Sequence, residues 1–189
     1  MAPLVASCRR CRLCEQRNHV VFGVGAANAR LMFIGEGPGA EEDRQGEPFV
    51  GRAGHLLTAM IRALGLSRAE VYIANIVKCR PPGNRDPEAD EAAACLPYLR
   101  RQIELINPAV LVLLGRIAAR FLLDTTAPIS SYRGRWREWE GRAVMPTFHP
   151  AYLLRTQSAK AQSWSDLRQV AARLRESGSA GTTVASPRP

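Results

Sequence analysis

Residues 30–57 read RLMFIGEGPGAEEDRQGEPFVGRAGHLL. An apolar run of strand length enters a glycine-rich turn, and a helical pattern follows the turn. Over residues 51–64, Ala53, Leu56, Leu57, Met60, Ile61 and Leu64 share one helical face. A buried strand, a turn and an amphipathic helix form the first half of a βαβ unit. Three more apolar runs, at 71–75, 109–114 and 143–148, read as further buried strands. Helical patterns separate the first three strands. One opens at Asp86 with Pro87 in its first turn and runs to about Ile106, with a break expected near Cys95 because Pro97 lies inside it. Another covers 116–123. The expected class is α/β, with a parallel sheet, right-handed crossovers and helices on both faces.

The stretch RWREWEGRAVMPTF suggests a hairpin turning at 140–142, with the last core strand as its second arm. Residues 158–176 form a final amphipathic pattern with Trp164, Leu167, Val170, Ala171 and Leu174 expected inward. The chain of 189 residues, 46% hydrophobic and 23% charged, suits one domain over 1–176, with 177–189 expected to be a disordered tail. The formal net charge is +9, carried almost wholly by Arg, since Lys occurs only at positions 78 and 160. A polyanion is therefore the first partner to consider. No apolar run is long enough for a membrane span, and an intracellular setting with reduced cysteines is expected.

Ligands of open parallel sheets bind beyond the carboxyl ends of the strands. Here those ends carry GEGPG, Asn75, Gly115 and His149. The turn is not a phosphate cradle. Its glycines do not match the dinucleotide spacing, and the span from Gly35 to Gly54 holds five carboxylates. Glycines at 35, 37 and 39 let a ligand approach the backbone, and exposed N–H groups bind carbonyl oxygens, which suits a neutral polar ring. Phe49 offers a flat apolar face nearby. Cys8 and Cys11 form a C-x2-C pair, Cys14 repeats the spacing, and Cys79 and Cys95 lie far away. Four thiolates suit zinc or an iron–sulfur cluster, and spacing alone does not choose.

Taken together, GEGPGAEEDRQGEPFVGRAGHLL, VYIANIVKCRPPGNRDP and HPAYLLR, with the early C-x2-C, resemble the family 4 uracil-DNA glycosylases, the iron–sulfur members of their superfamily. The resemblance implies a three-layer α/β/α sandwich on a four-stranded parallel sheet. It implies a structural [4Fe–4S] cluster on Cys8, Cys11, Cys79 and Cys95, with Cys14 spare, or competing with Cys11. It implies an enzyme that flips uracil out of single- or double-stranded DNA and hydrolyses its N-glycosidic bond. No His lies in KCRPPGNRDP, and Gly37 is Gly, which argues for turnover rather than covalent trapping of the product.

On that resemblance uracil stacks on Phe49, pairs with the Asn75 amide and meets the backbone around Gly35 and Gly37, while His149 donates to uracil O2. A related branch keeps an aspartate where Gly37 stands. The expected catalytic carboxylates are therefore Glu42, for the attacking water, and Glu36, chiefly through its backbone, with Glu41 and Asp43 also near. Leu153 or Leu154 is expected to wedge into the duplex and Arg155 to hold a phosphate. YRGRWREWEGR is either a stacking surface or the charged outer face of a hairpin. A monomer in a prokaryotic cytoplasm, on the nucleoid, completes the expectation. A non-catalytic DNA-binding module and a zinc-dependent nucleotide enzyme are the competing readings; the second is disfavoured because no H-x-E stands beside the cysteine pairs.

Overall fold

The computed structural model describes residues 2–179. Its elements run α1 (Ala2–Ala6), β1 (Val24–Gly25), β2 (Leu31–Gly35), α2 (Ala40–Gln45), α3 (Arg52–Ala63), β3 (Tyr72–Asn75) and α4 (Ala89–Ile106). They continue with β4 (Val110–Leu114), α5 (Arg116–Leu123), α6 (Ile129–Tyr132), β5 (Arg137–Trp139), β6 (Arg142–Thr147), α7 (Pro150–Arg155) and α8 (Lys160–Ser179). The sheet order is β1-β3-β2-β4-β6-β5. The middle four strands are parallel, and β1 and β5 pair antiparallel on the two edges. The sheet thus has six strands rather than four. β1 has only two residues, one of them glycine, so it carries no hydrophobic pattern to read.

The central strands are buried on both faces, and alternate residues serve different layers. Met32, Ile34, Leu111 and Leu113 pack with Leu99 and Ile103 of α4 and Ala118 and Leu122 of α5. Leu31, Phe33, Val110 and Val112 pack with Leu57 and Ile61 of α3 and Leu167 and Val170 of α8. Chain order places β3 on one side of β2 and β4 on the other. The carboxyl ends of β2 and β4 therefore flank a topological switch point, where an open α/β sheet leaves a crevice.

Four local expectations are corrected. α4 is continuous through Pro97, because Pro97 and Ala93, whose carbonyl loses its donor, both face solvent, where water serves that carbonyl. α4 starts at Ala89 rather than at Pro87, and Glu91 accepts from the Glu88 N–H at 2.8 Å to close its first turn. Trp164 is 41% exposed rather than inward, because the buried face of α8 includes Ser163 and Asp166. Asp166 accepts from Thr147 at 2.7 Å and from Arg133, so a polar network occupies the arc expected for Trp164. The tail expected from 177 begins inside α8, which continues to Ser179, and 180–189 lie outside the described residues.

Candidate active site

A cleft of about 700 Å³ opens over the carboxyl ends of the strands. Gly37, Glu36, Glu42, Phe49, Asn75, His149 and Arg155 all line it, together with Gly115 and Arg116 across the switch point. Residues as far apart in sequence as Glu36 and Arg155 therefore share one chamber, because four parallel strands deliver their ends to one edge.

Asn75 ends β3 and is 1% exposed. Its Oδ1 is buried without a hydrogen-bond partner among the described residues. An unmatched buried carbonyl is costly in a folded protein and marks a place where a ligand donor belongs. Gly35 is paired with Asn75 in the sheet, and a Cβ there would stand 2.4 Å from Asn75 Oδ1 and 2.6 Å from the Phe49 ring. Only glycine lets amide and ring converge. At Gly37 a Cβ would stand 2.8 Å from Val77 Cγ2, so an aspartate in that place would first have to displace β-branched core.

Phe49 has φ 54°, a left-handed conformation that is strained for a bulky residue. Clamps on both sides hold it there. Arg68 donates to the Phe49 and Pro48 carbonyls at 3.1 and 2.7 Å. Glu42 accepts from the Val50 and Gly51 N–H groups, each at 2.9 Å, and from Gly39 N–H at 3.1 Å. Both Glu42 oxygens are thus engaged by backbone N–H groups, a bonding state that suits a clamp. Arg68 escaped sequence reasoning, since nothing in its neighbourhood marks it as a partner of residues nineteen and twenty positions earlier.

The other carboxylates of the turn have separate duties. Asp43 is buried and accepts from Asn18 and His19 N–H groups, tying the early loop to α2. Glu41 faces outward and pairs with Arg44 at 2.7 Å. Glu36 alone faces the cleft with no side-chain partner among the described residues. Burial first, and then the nearby Asp86, push its carboxyl up to about 7, while Arg116 pulls the other way. Asp86 and Arg116 form an ion pair on the cleft wall.

His149 caps α7, and its Nδ1 accepts from the Ala151 N–H at 3.1 Å. A ring nitrogen that accepts carries no proton, so the neutral ring holds its proton on Nε2. Burial, and then Arg155, hold the imidazole down to about 4, against a smaller opposing pull from Glu42. At neutral pH His149 is therefore an uncharged donor, 5.7 Å from the Phe49 ring between centroids.

The DNA-facing expectations divide. Leu153 is 1% exposed and packs with Phe148 and Ala159, so it is core and has no free side chain to insert. Leu154 is half-buried on the same short helix, and Arg155 is exposed on the cleft rim with no ion-pair partner among the described residues. Tyr152, 38% exposed and in tilted ring contact with Phe148 at 4.9 Å between centroids, joins this rim without having been singled out by the sequence. Of the aromatic stretch, Trp139 is buried, Arg100 lies over its ring at 5.7 Å, and Arg173 covers Trp136 at 4.7 Å, which makes it a packed hairpin.

Apart from the cleft, all five cysteines line one small cavity. Sulfurs there meet donors. The Lys78 N–H points at Cys95 Sγ at 3.3 Å, Arg17 at Cys79 Sγ at 3.1 Å and the Tyr98 hydroxyl at Cys8 Sγ at 3.3 Å. Such donors suit anionic sulfur, although burial pushes the unligated Cys79 thiol up to about 11. Among the described residues, no three His, Cys, Asp or Glu side chains are arranged to hold a single metal ion.

An α/β sheet covered on both faces thus gathers a flat ring, an unmatched amide and a neutral imidazole donor at one edge, an arrangement suited to a neutral polar ring. The family model for the uracil DNA glycosylase superfamily matches residues 22–168. Similar proteins include a type-4 uracil-DNA glycosylase of Thermotoga maritima, 51% identical over 82% of this chain and 81% of that protein. One from Sulfurisphaera tokodaii is 47% identical over 79% and 72%, and one from Saccharolobus solfataricus 45% over 90% and 83%. The chain belongs to the uracil-DNA glycosylase superfamily, and within it to the type-4 uracil-DNA glycosylases.

Proposed function

We propose that this protein is a monofunctional uracil-DNA glycosylase of base excision repair, acting through a single domain over 1–176. The observation that carries the reading is the buried, unmatched Asn75 Oδ1 beside Phe49 and His149. A uracil flipped from DNA stacks on Phe49. The Asn75 amide accepts from N3–H and donates to O4, a pattern that cytosine reverses. As the N1–C1′ bond breaks, its electron pair leaves with the base and charge grows on O2. His149 Nε2–H is the donor for that charge, and its neutral state keeps it from titrating away.

Water then attacks C1′. Glu36 is the carboxylate for this step, in preference to Glu42, because Glu36 is free in the cleft while Glu42 is bonded to three amides. The Glu36 carboxylate takes the proton from water as oxygen bonds to carbon. Glu42 positions Phe49 instead. Leu154 fills the gap left by the flipped base, and Arg155 holds a flanking phosphate of single- or double-stranded DNA. We take the protein to act as a monomer in the cytoplasm, on the nucleoid. No described helix is long and apolar enough to cross a membrane.

The thiols fit an iron–sulfur cluster better than zinc. In a cluster each iron takes its own thiolate, so the sulfurs need not converge on one point. Cys8, Cys11, Cys79 and Cys95 would hold a [4Fe–4S] group, with Cys14 beside it. Bound there, it supplies a cross-link between the N-terminal segment, the loop after β3 and α4, and no redox step. Purified protein should carry iron and acid-labile sulfide. The enzyme reading is tested by release of free uracil from a uracil-containing oligonucleotide, with alkali cleaving the abasic product; no release would reject it.

A further inference from the structure

Lys78 is one of only two lysines in a chain that otherwise uses arginine, and it is 1% exposed. Its Nζ donates to the Asn75 backbone carbonyl at 2.9 Å and to Gln102 Oε1 at 2.6 Å. Gln102 is itself pinned, donating to Phe22 O at 2.9 Å and Tyr72 Oη at 3.0 Å. The Lys78 N–H is anchored on Cys95 Sγ at 3.3 Å, so the side chain is aimed from a fixed backbone. Among the described residues no carboxylate pairs with this amine. Burying it is costly, and the cost needs a return at this particular place.

The Asn75 carbonyl ends β3 where the chain leaves the sheet. Beyond it, Ile76 and Val77 N–H groups bond to Gly35 O and Glu36 O at 3.0 and 3.1 Å. The Asn75 side-chain amide has no internal hydrogen bond among the described residues, so its direction is set by the backbone of residue 75 and by the packing around it. Lys78 grips that backbone from outside the cleft, where it lines the cysteine cavity. An arginine would not serve, because its planar head brings five donors where two acceptors wait.

We propose that Lys78 is a positioning residue for uracil recognition: by holding the Asn75 carbonyl against Gln102 it fixes the direction of the Asn75 amide in the cleft. The inference rests on the uracil-DNA glycosylase reading. It differs from a packing role in what it moves. A packing defect lowers the folded fraction, whereas a freed Asn75 weakens the base pocket of chains that remain folded.

The test is Lys78→Met, which keeps the stem and removes the donors. Binding of free uracil is measured by calorimetry, kcat and KM on a uracil-containing oligonucleotide, and affinity for the same oligonucleotide without uracil. Values are normalised to folded chain by thermal melting and iron content. Uracil affinity and kcat/KM should fall about tenfold or more, as loss of a charge-assisted bond implies, with affinity for uracil-free DNA unchanged. Gln102→Leu, which removes the second anchor, should move the same quantities in the same direction and serves if Lys78→Met does not fold. Unchanged uracil affinity in either folded variant overturns the inference while an active wild type keeps the functional reading. A wild type that neither binds nor releases uracil overturns both.

Discussion

Replacing Glu36 with Gln removes the one turn carboxylate that faces the cleft unpartnered, and the pH–rate profile should register it. The carboxyl is held near about 7, against an ordinary 4.5, by burial and by Asp86. Its ionised fraction then falls from about nine-tenths at about pH 8 to about one-tenth at about pH 6. If the carboxylate activates water, kcat should lose about tenfold per unit on the acid side of neutrality. His149 does not blur this limb, because it stays neutral down to about 4. Glu36→Gln should flatten the limb and lower the plateau by about 10²–10⁴, the usual worth of a positioned base. Asp86→Asn should move the limb to lower pH, since Asp86 pushes the carboxyl up, and Arg116→Gln should move it higher. Stability has the opposite sign from activity. The folded carboxyl binds its proton more tightly than the unfolded one, so wild type gains stability as pH falls from about 7 towards 4.5. Glu36→Gln should therefore melt higher than wild type above neutral pH. The assay is single-turnover uracil release across the pH range, with melting curves beside it. An acid limb that survives unchanged in Glu36→Gln would refute the assignment.

Three further outcomes follow from the geometry. His149→Ala should lower kcat by about 10²–10³, with binding of uracil-containing DNA nearly intact, because the donor matters most as charge develops; comparison of single-turnover rate with binding checks this. Gly35→Ala places a methyl 2.4 Å from Asn75 Oδ1, so amide and ring must part. Uracil release should drop about 10²-fold or more, with a change in uracil binding as the check. Arg155→Ala should reduce the slope of log affinity against log salt by about 0.9 on duplex and about 0.7 on single strands, and a slope equal to wild type would remove Arg155 from the phosphate contacts.

Much of this protein is written locally. The all-buried runs of β2, β3 and β4, and the buried stretch that ends β6, stand out because both faces of a parallel strand are covered. Asn75 and His149 were legible because the ends of such strands are where open α/β sheets bind ligands. The hairpin between β5 and β6 shows in its turn, where Glu140 and Gly141 both take left-handed φ. Other features had no local sign. β1 is too short to carry a pattern. Pro97 broke nothing because its missing bond falls on the wet side of α4. Trp164 lost its place to a buried Asp166 whose partners lie on other elements.

The carboxylates of GEGPGAEED show the boundary most clearly. Sequence alone argues for a neutral ring rather than a phosphate at the glycine turn, because adjacent negative charge repels phosphate. It did not determine which carboxylate does what. Successive residues on a helix point about 100° apart, so Glu41, Glu42 and Asp43 necessarily face different surroundings. Glu41 keeps a local partner, Arg44 one helical turn on, while tertiary structure supplied the rest: the Val50 and Gly51 amides for Glu42, and the Asn18–His19 backbone for Asp43. Glu36, on the extended turn before α2, was left to the cleft. Neighbours in sequence were separated in function because a charge takes its character from what surrounds it, and only the folded chain brings those partners together.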